Sequence, residues 1–146
     1  MIAVQSQSAP PLLQSFNNQA DHVTTLDYAN SRVSGINVSF SGDHALATLS
    51  ESEGLAVGVT DAEIFAHQKR LAEIEGVWVE PVGAVAIAAV KKLAQAGTLT
   101  TRTRMVCISS GAGYKDTSLA ADEAATITAL DPLSFDSAAI VASLAS

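Results

Sequence analysis

The sequence has 146 residues, 48% hydrophobic and 16% charged, which suits one globular domain with a normal buried core. A net charge of −7 and a pI near 4.7 exclude the basic face that nucleic acid or an anionic membrane surface would need. A single cysteine, Cys107, excludes an intrachain disulfide, and 5% aromatic content leaves Ala, Val, Leu and Ile to fill the core.

Ile2-Ala3-Val4 opens the chain as a strand, and Pro10-Pro11 breaks it. Pro is tolerated in the first turn of a helix, so Pro11-Leu12-Leu13-Gln14-Ser15-Phe16 is expected to start one, ended by Asn17-Asn18. Residues 21–41 are polar and without a clear period, and read as a long loop with a short strand near Val33. A loop of that length in a compact domain is usually functional or packed on a partner. Gly42-Asp43-His44 leads into a helix with Ala45, Leu46 and Leu49 on its apolar face.

Leu55-Ala56-Val57 reads as a short strand. Thr60-Asp61-Ala62-Glu63 is a capping box, a hydroxyl at the cap and a carboxylate three residues on. The helix it starts is expected to reach Glu75, with Ile64, Phe65, Leu71 and Ala72 inward and Gly76 as its stop. Val77-Trp78-Val79 is strand-like, and Glu80-Pro81 turns the chain. A helix over 83–96 is nearly all apolar until Lys91-Lys92, which predicts burial on all sides. The run 82–90 is the longest apolar stretch, far short of the roughly 20 residues of a membrane helix. With no signal-peptide pattern either, a soluble, cytoplasmic protein is expected.

Met105-Val106-Cys107-Ile108 reads as a strand covered on both faces, with Cys107 a small buried hydrophobe. It stops in Ser109-Ser110-Gly111-Ala112-Gly113. In parallel α/β sheets ligands sit beyond the carboxyl ends of the strands, so these hydroxyls and glycines are the place to look for chemistry. On the residues alone they also read as an ordinary strand-to-loop turn. Residues 124–130 read as a strand and 134–145 as an amphipathic helix. Strands alternating with helices imply an α/β fold with a mainly parallel sheet. His22, His44 and His67 are scattered, with no spacing that suggests a metal site.

Two runs carry a resemblance. Asp61-Ala62-Glu63-Ile64 with Gln68-Lys69, followed by Glu75-Gly76-Val77-Trp78-Val79-Glu80-Pro81, is one. Val106-Cys107-Ile108-Ser109-Ser110-Gly111-Ala112-Gly113-Tyr114-Lys115-Asp116 is the other, and Ile2-Ala3-Val4-Gln5 with Ala9-Pro10 adds a third, weaker match. Together they resemble the C-terminal part of threonine synthase, among the fold type II pyridoxal-phosphate enzymes of the tryptophan synthase β superfamily. Serine and threonine dehydratases share the Glu-Pro turn and a Ser-Gly-Gly form of the last run; the Gly-x-Gly-x-Lys-Asp ending here is closer to threonine synthase.

The resemblance implies a partial three-layer parallel sheet and pyridoxal phosphate as cofactor. It places the Ser110 hydroxyl on the pyridine nitrogen, with Gly111 beside it. Ser109, one residue off along a strand, is expected to point the other way. Glu80 lies in the turn that lines the family's cofactor side, and on its own also reads as a solvated turn carboxylate. The lysine that carries the cofactor and the Gly-rich loop that cradles its phosphate lie upstream of the matched segment in this family. Neither Lys69, Lys91, Lys92 nor Lys115 has the apolar setting for imine formation, and Gly111-Ala112-Gly113 is too short for a phosphate cradle. The chain is therefore expected to be the C-terminal half of a threonine synthase-like enzyme, inactive alone, or else a serine/threonine dehydratase-like fragment or a non-catalytic module that keeps the scaffold. An N-terminal half of the same enzyme is the expected partner. Self-association is expected too, because apolar strands lacking sheet neighbours invite pairing.

Overall fold

The computed structural model describes residues 1–117. The predicted strand 124–130 and helix 134–145 lie outside the described residues. Two strands, β1 (Ile2–Ser6) and β2 (Leu55–Val59), pair in parallel with Ala3 opposite Ala56 and Val4 opposite Val57. Parallel pairing demands a crossover, and here it is long, holding the helices α1 (Pro11–Asn17) and α2 (Asp43–Glu51). After β2 come α3 (Asp61–Glu75), a 3-10 turn at Pro81–Ala84, and α4 (Val85–Gln95).

Strand alternation sorts the core into two clusters, one on each face of the sheet. Ala3 and Ala56 pack with Leu12 of α1 and Leu46 and Leu49 of α2. Val4 and Val57 pack on the opposite side with Val59, Ile64 of α3, and Ala84, Val85, Ala88 and Ala89 of the α4 region. The small Ala pair meets the bulky Leu side chains, and the Val pair meets the Ala-rich face of α4. Helices on both faces make a three-layer α/β piece.

The helix starts follow their local chemistry. Pro11 opens α1 with its φ already set, and Asp43 sits in the first turn of α2. The capping box on α3 is formed: the Thr60 hydroxyl accepts from the Glu63 N–H, and the Glu63 carboxylate accepts from the Thr60 N–H at 2.7 Å. Gly76 ends α3 at φ 66°, left-handed as a C-terminal cap requires.

Four expectations are corrected. Residues 105–108 are not a buried strand: Val106 is 95% and Ile108 80% exposed, and no ladder pairs them. Cys107 is accordingly exposed. A two-sided apolar strand needs sheet neighbours, and the described residues give this one none. Residues 77–79 form a single antiparallel bridge, Val79 to Ala112. Near Val33 there is no strand; Val33 is buried in the core just before a 3-10 turn at Ser34–Ile36. Helix α4 buries one face, Val85, Ala88, Ala89 and Leu93, and leaves Ala86, Ile87 and Val90 partly open. No helix among the described residues is long and apolar enough to cross a membrane.

Candidate cofactor site

Residues 78–83 and 109–113 lie against each other, and the contacts are mostly backbone. Gly113 N–H donates to the Trp78 carbonyl at 3.1 Å, and Glu80 N–H to the Gly111 carbonyl at 3.2 Å. These two bonds frame the Val79–Ala112 bridge. The Ser109 hydroxyl adds a third tie, donating to the Gly83 carbonyl at 2.8 Å. The Ser110 hydroxyl is left exposed.

Glycine permits this closeness. Gly111 has φ 78°, and a Cβ there would coincide with the Glu80 carboxylate. A Cβ on Gly83 would stand 2.6 Å from the Ser110 carbonyl oxygen and 2.9 Å from the Val79 Cβ. The structure thus brings Ser110, Gly111 and Glu80 together in one turn-on-turn arrangement. An exposed hydroxyl beside a carboxylate folded over a glycine offers a hydrogen-bonding edge to a flat heteroaromatic ring.

Two deeper groups position the Glu80–Pro81 turn. Gln68 on α3 is fully buried; its Nε2 donates to the Val79 carbonyl at 2.7 Å, while its Oε1 has no partner among the described residues. Gln68 lies one turn beyond Ile64, so helical spacing alone put it on the inward face. From the other side, Gly35 in the long loop packs on the Val82 side chain. That loop is pinned by Asp61. The Asp61 carboxylate accepts from the Ser6 and Ser31 hydroxyls, both at 2.8 Å, and from the Arg32 N–H at 2.6 Å. Burial pushes the Asp61 carboxyl up, but the Arg32, Ser31 and Ser6 donors together outweigh it and hold it below its ordinary range. In the sequence Asp61 belongs to a cap motif and to the run that carries the resemblance; no local pattern reveals partners at residues 6 and 31.

The lysines do different work. Lys92 holds its ammonium on the Gly58 carbonyl at 2.7 Å, 4.0 Å from Glu63. Lys69 and Lys91 ride on α3 and α4, and Lys115 closes the 3-10 turn Gly113–Lys115. His22 pairs with Asp43 at 2.9 Å where the long loop meets α2. No group of metal-ligating side chains is assembled among the described residues.

A helix-covered parallel sheet with this Ser-Gly and Glu-Pro pair of turns defines a class. Residues 1–111 match the profile of the pyridoxal-phosphate dependent enzymes, and the chain belongs to that family. Among curated proteins it is similar to the threonine synthase of Methanocaldococcus jannaschii, 35% identical over 80% of this chain and 29% of that protein. It is similar also to that of Methanosarcina acetivorans, 31% identical over 90% of this chain and 33% of that protein. Among solved structures, the processed form of threonine deaminase isoform 2 from Solanum lycopersicum shares the fold, with a TM-score of 0.68, 22% identity, and coverage of 86% of this chain and 34% of that one. The chain spans about a third of the length of the curated relatives it matches.

Proposed function

We propose that this chain is the C-terminal portion of a threonine synthase-like lyase, which converts O-phosphohomoserine to threonine. The turn-on-turn arrangement of Ser110, Gly111 and Glu80 carries the reading, together with the run of threonine synthases among its relatives. Pyridoxal phosphate, when bound, supplies the electron sink for elimination and replacement. The chain's own residues would hold the ring side: the Ser110 hydroxyl would hydrogen-bond the pyridine nitrogen, with Gly111 beside it. Glu80 lies on the same side. A neutral hydroxyl there would leave the ring nitrogen short of full protonation and so moderate the electron sink. The cofactor-carrying lysine and the phosphate loop come from an N-terminal half of the enzyme.

The test is co-production with the part of the Methanocaldococcus jannaschii threonine synthase that this chain does not match. Phosphate release from O-phosphohomoserine supports the reading. Deamination of threonine with no phosphate release favours the dehydratase alternative, and neither activity favours a non-catalytic module. The chain alone is expected to give no lysine labelled by borohydride at stoichiometric pyridoxal phosphate, and a stoichiometric label on one lysine would refute that.

Ser110 and Ser109 separate in the same co-produced enzyme. Ser110→Ala is expected to weaken cofactor retention about fivefold, since one hydrogen bond is worth on the order of 1 kcal/mol. Ser109→Ala is expected to leave retention within about twofold and instead lower stability by on the order of 1 kcal/mol, through loss of its bond to the Gly83 carbonyl. Equal effects on retention would mean that Ser110 does not face the ring.

A further inference from the structure

Gln68 is a polar side chain where an apolar one would serve the fold. It lies on α3 at 0% exposure, bonded to a core cluster that holds Ile64 and Val79. A Met or Leu would be buried there without the cost of drying an amide. Half-satisfied, an amide is a worse core group than an apolar one: Nε2 is bonded, and Oε1 has no partner among the described residues. Stability alone therefore gives no reason for a Gln. Its orientation is fixed, because turning the amide over would set Oε1 against the Val79 carbonyl oxygen.

The bond that Gln68 does make falls on the peptide that joins the two turns. The Gly113 N–H bonds the Trp78 carbonyl and the Glu80 N–H bonds the Gly111 carbonyl, so Val79 and Ala112 form a non-hydrogen-bonded pair. The Val79 carbonyl must then point away from residues 109–113, and Gln68 meets it there at 2.7 Å. That carbonyl and the Glu80 N–H are the two ends of one planar trans peptide. One end is held by α3, the other by Gly111 at 3.2 Å. The next peptide is held too, since the Glu80 carbonyl accepts from the Gly83 N–H at 2.9 Å. Glu80 thus stands between two pinned planes. They set the direction of its Cα–Cβ bond and lay its carboxylate over Gly111.

We infer that Gln68 is a positioning residue of the cofactor site: its amide orients the Val79–Glu80 peptide, and through it sets Glu80 against Gly111 and Ser110. The inference rests on the proposed function. Gln68 acts through one peptide plane and needs no contact with the ring.

Gln68→Met is the test, because Met is unbranched and fills irregular space but has no N–H. In the chain alone, amide exchange at Glu80 is expected to speed at least fivefold relative to amides inside α3 and α4, about what losing one hydrogen bond gives. A side chain that only filled the core would leave that ratio unchanged, or speed every amide alike. In the enzyme co-produced with the unmatched part of the Methanocaldococcus jannaschii threonine synthase, the variant is expected to hold pyridoxal phosphate about fivefold more weakly. An unchanged exchange ratio overturns the inference and leaves the functional reading standing. A raised ratio with undiminished retention also overturns it, since the tie then stops short of the cofactor. A parent mixture that binds no pyridoxal phosphate overturns the functional reading, and the inference with it. Should Gln68→Met fail to fold, the parent chain decides. Its Gln68 side-chain N–H and Glu80 N–H are expected to lose protection together in sub-denaturing urea, as one opening unit. Separate loss overturns the inference.

Discussion

Replacing Asp61 by Ala is expected to destabilise the chain by on the order of 3 kcal/mol, measured as a drop in the urea midpoint. The carboxylate accepts three hydrogen bonds at 2.6 to 2.8 Å. Ser6 is fully buried and Ser31 nearly so, at 0% and 8% exposure, so their hydroxyls cannot turn to water when the acceptor goes. Each buried group left unpaired costs about 1–3 kcal/mol. Asp61→Asn keeps one carbonyl acceptor but aims an NH₂ at donors, and is expected to lose almost as much. The network joins the end of β1, the start of α3 and the long loop, whose Gly35 bears on Val82 beside the Glu80–Pro81 turn. Loss of Asp61 is therefore expected to loosen cofactor retention in the co-produced enzyme. A cost under about 0.5 kcal/mol would mean that the packing of Val33 holds the loop unaided.

The same residue sets an acid limit. Its carboxyl is held below its ordinary range in the folded chain, so the unfolded chain binds the proton more readily. The stabilisation is fully present above the unfolded value, about 3.9, and is lost as pH falls through the lower folded value. Glu63 acts in the same direction: the Thr60 N–H lowers its pKa most, opposed by burial and helped by the Thr60 hydroxyl and Lys92. Acid unfolding is expected to be shallower in Asp61→Asn than in the parent chain.

The fold was legible where a signal is local. The capping box at Thr60, the glycine stop at Gly76, Pro11 and the run of α4 are short-range chemistry, and the chain forms them as read. Residues 105–108 were misread because the apolar run is a statement about neighbours as well as about itself. Its composition asks for cover on both faces, and the described residues leave Val106 bare. The Ser109–Gly113 turn stood out from its place after an apolar run, whereas the roles proposed for Glu80, Ser110 and Gly111 come from resemblance to a family. The contacts that position them were not legible: the Asp61 network spans up to 55 residues of sequence, and helical spacing turns Gln68 inward without showing its bond to the Val79 carbonyl.

Gly83→Ala is expected to separate the two turns of the candidate site. Unlike Gly111, Gly83 needs no left-handed backbone; its constraint is closeness alone. An added Cβ would press on the Ser110 carbonyl oxygen at 2.6 Å and on the Val79 Cβ at 2.9 Å, and the first of these is backbone that cannot rotate away. Over-packing of this kind costs about 1–3 kcal/mol. The strain is relieved most easily by lifting residues 109–113, which Glu80, Gly113 and Ser109 hold by one hydrogen bond each. Trp78, the only Trp in the chain, stacks on Gly113 and reports the movement. Gly83→Ala is expected to shift its emission to the red and to speed amide exchange at Glu80 and Gly113. Gly111→Ala makes the contrast. There the obstacle is the far end of the Glu80 side chain, which can swing aside, so the stability cost is about 1–2 kcal/mol from the left-handed backbone. Its larger effect falls on the placement of Glu80, so cofactor retention should suffer while Trp78 emission stays put. If both variants shift Trp78 alike, the two turns move as one body, and close approach at Gly83 is not what sets their spacing.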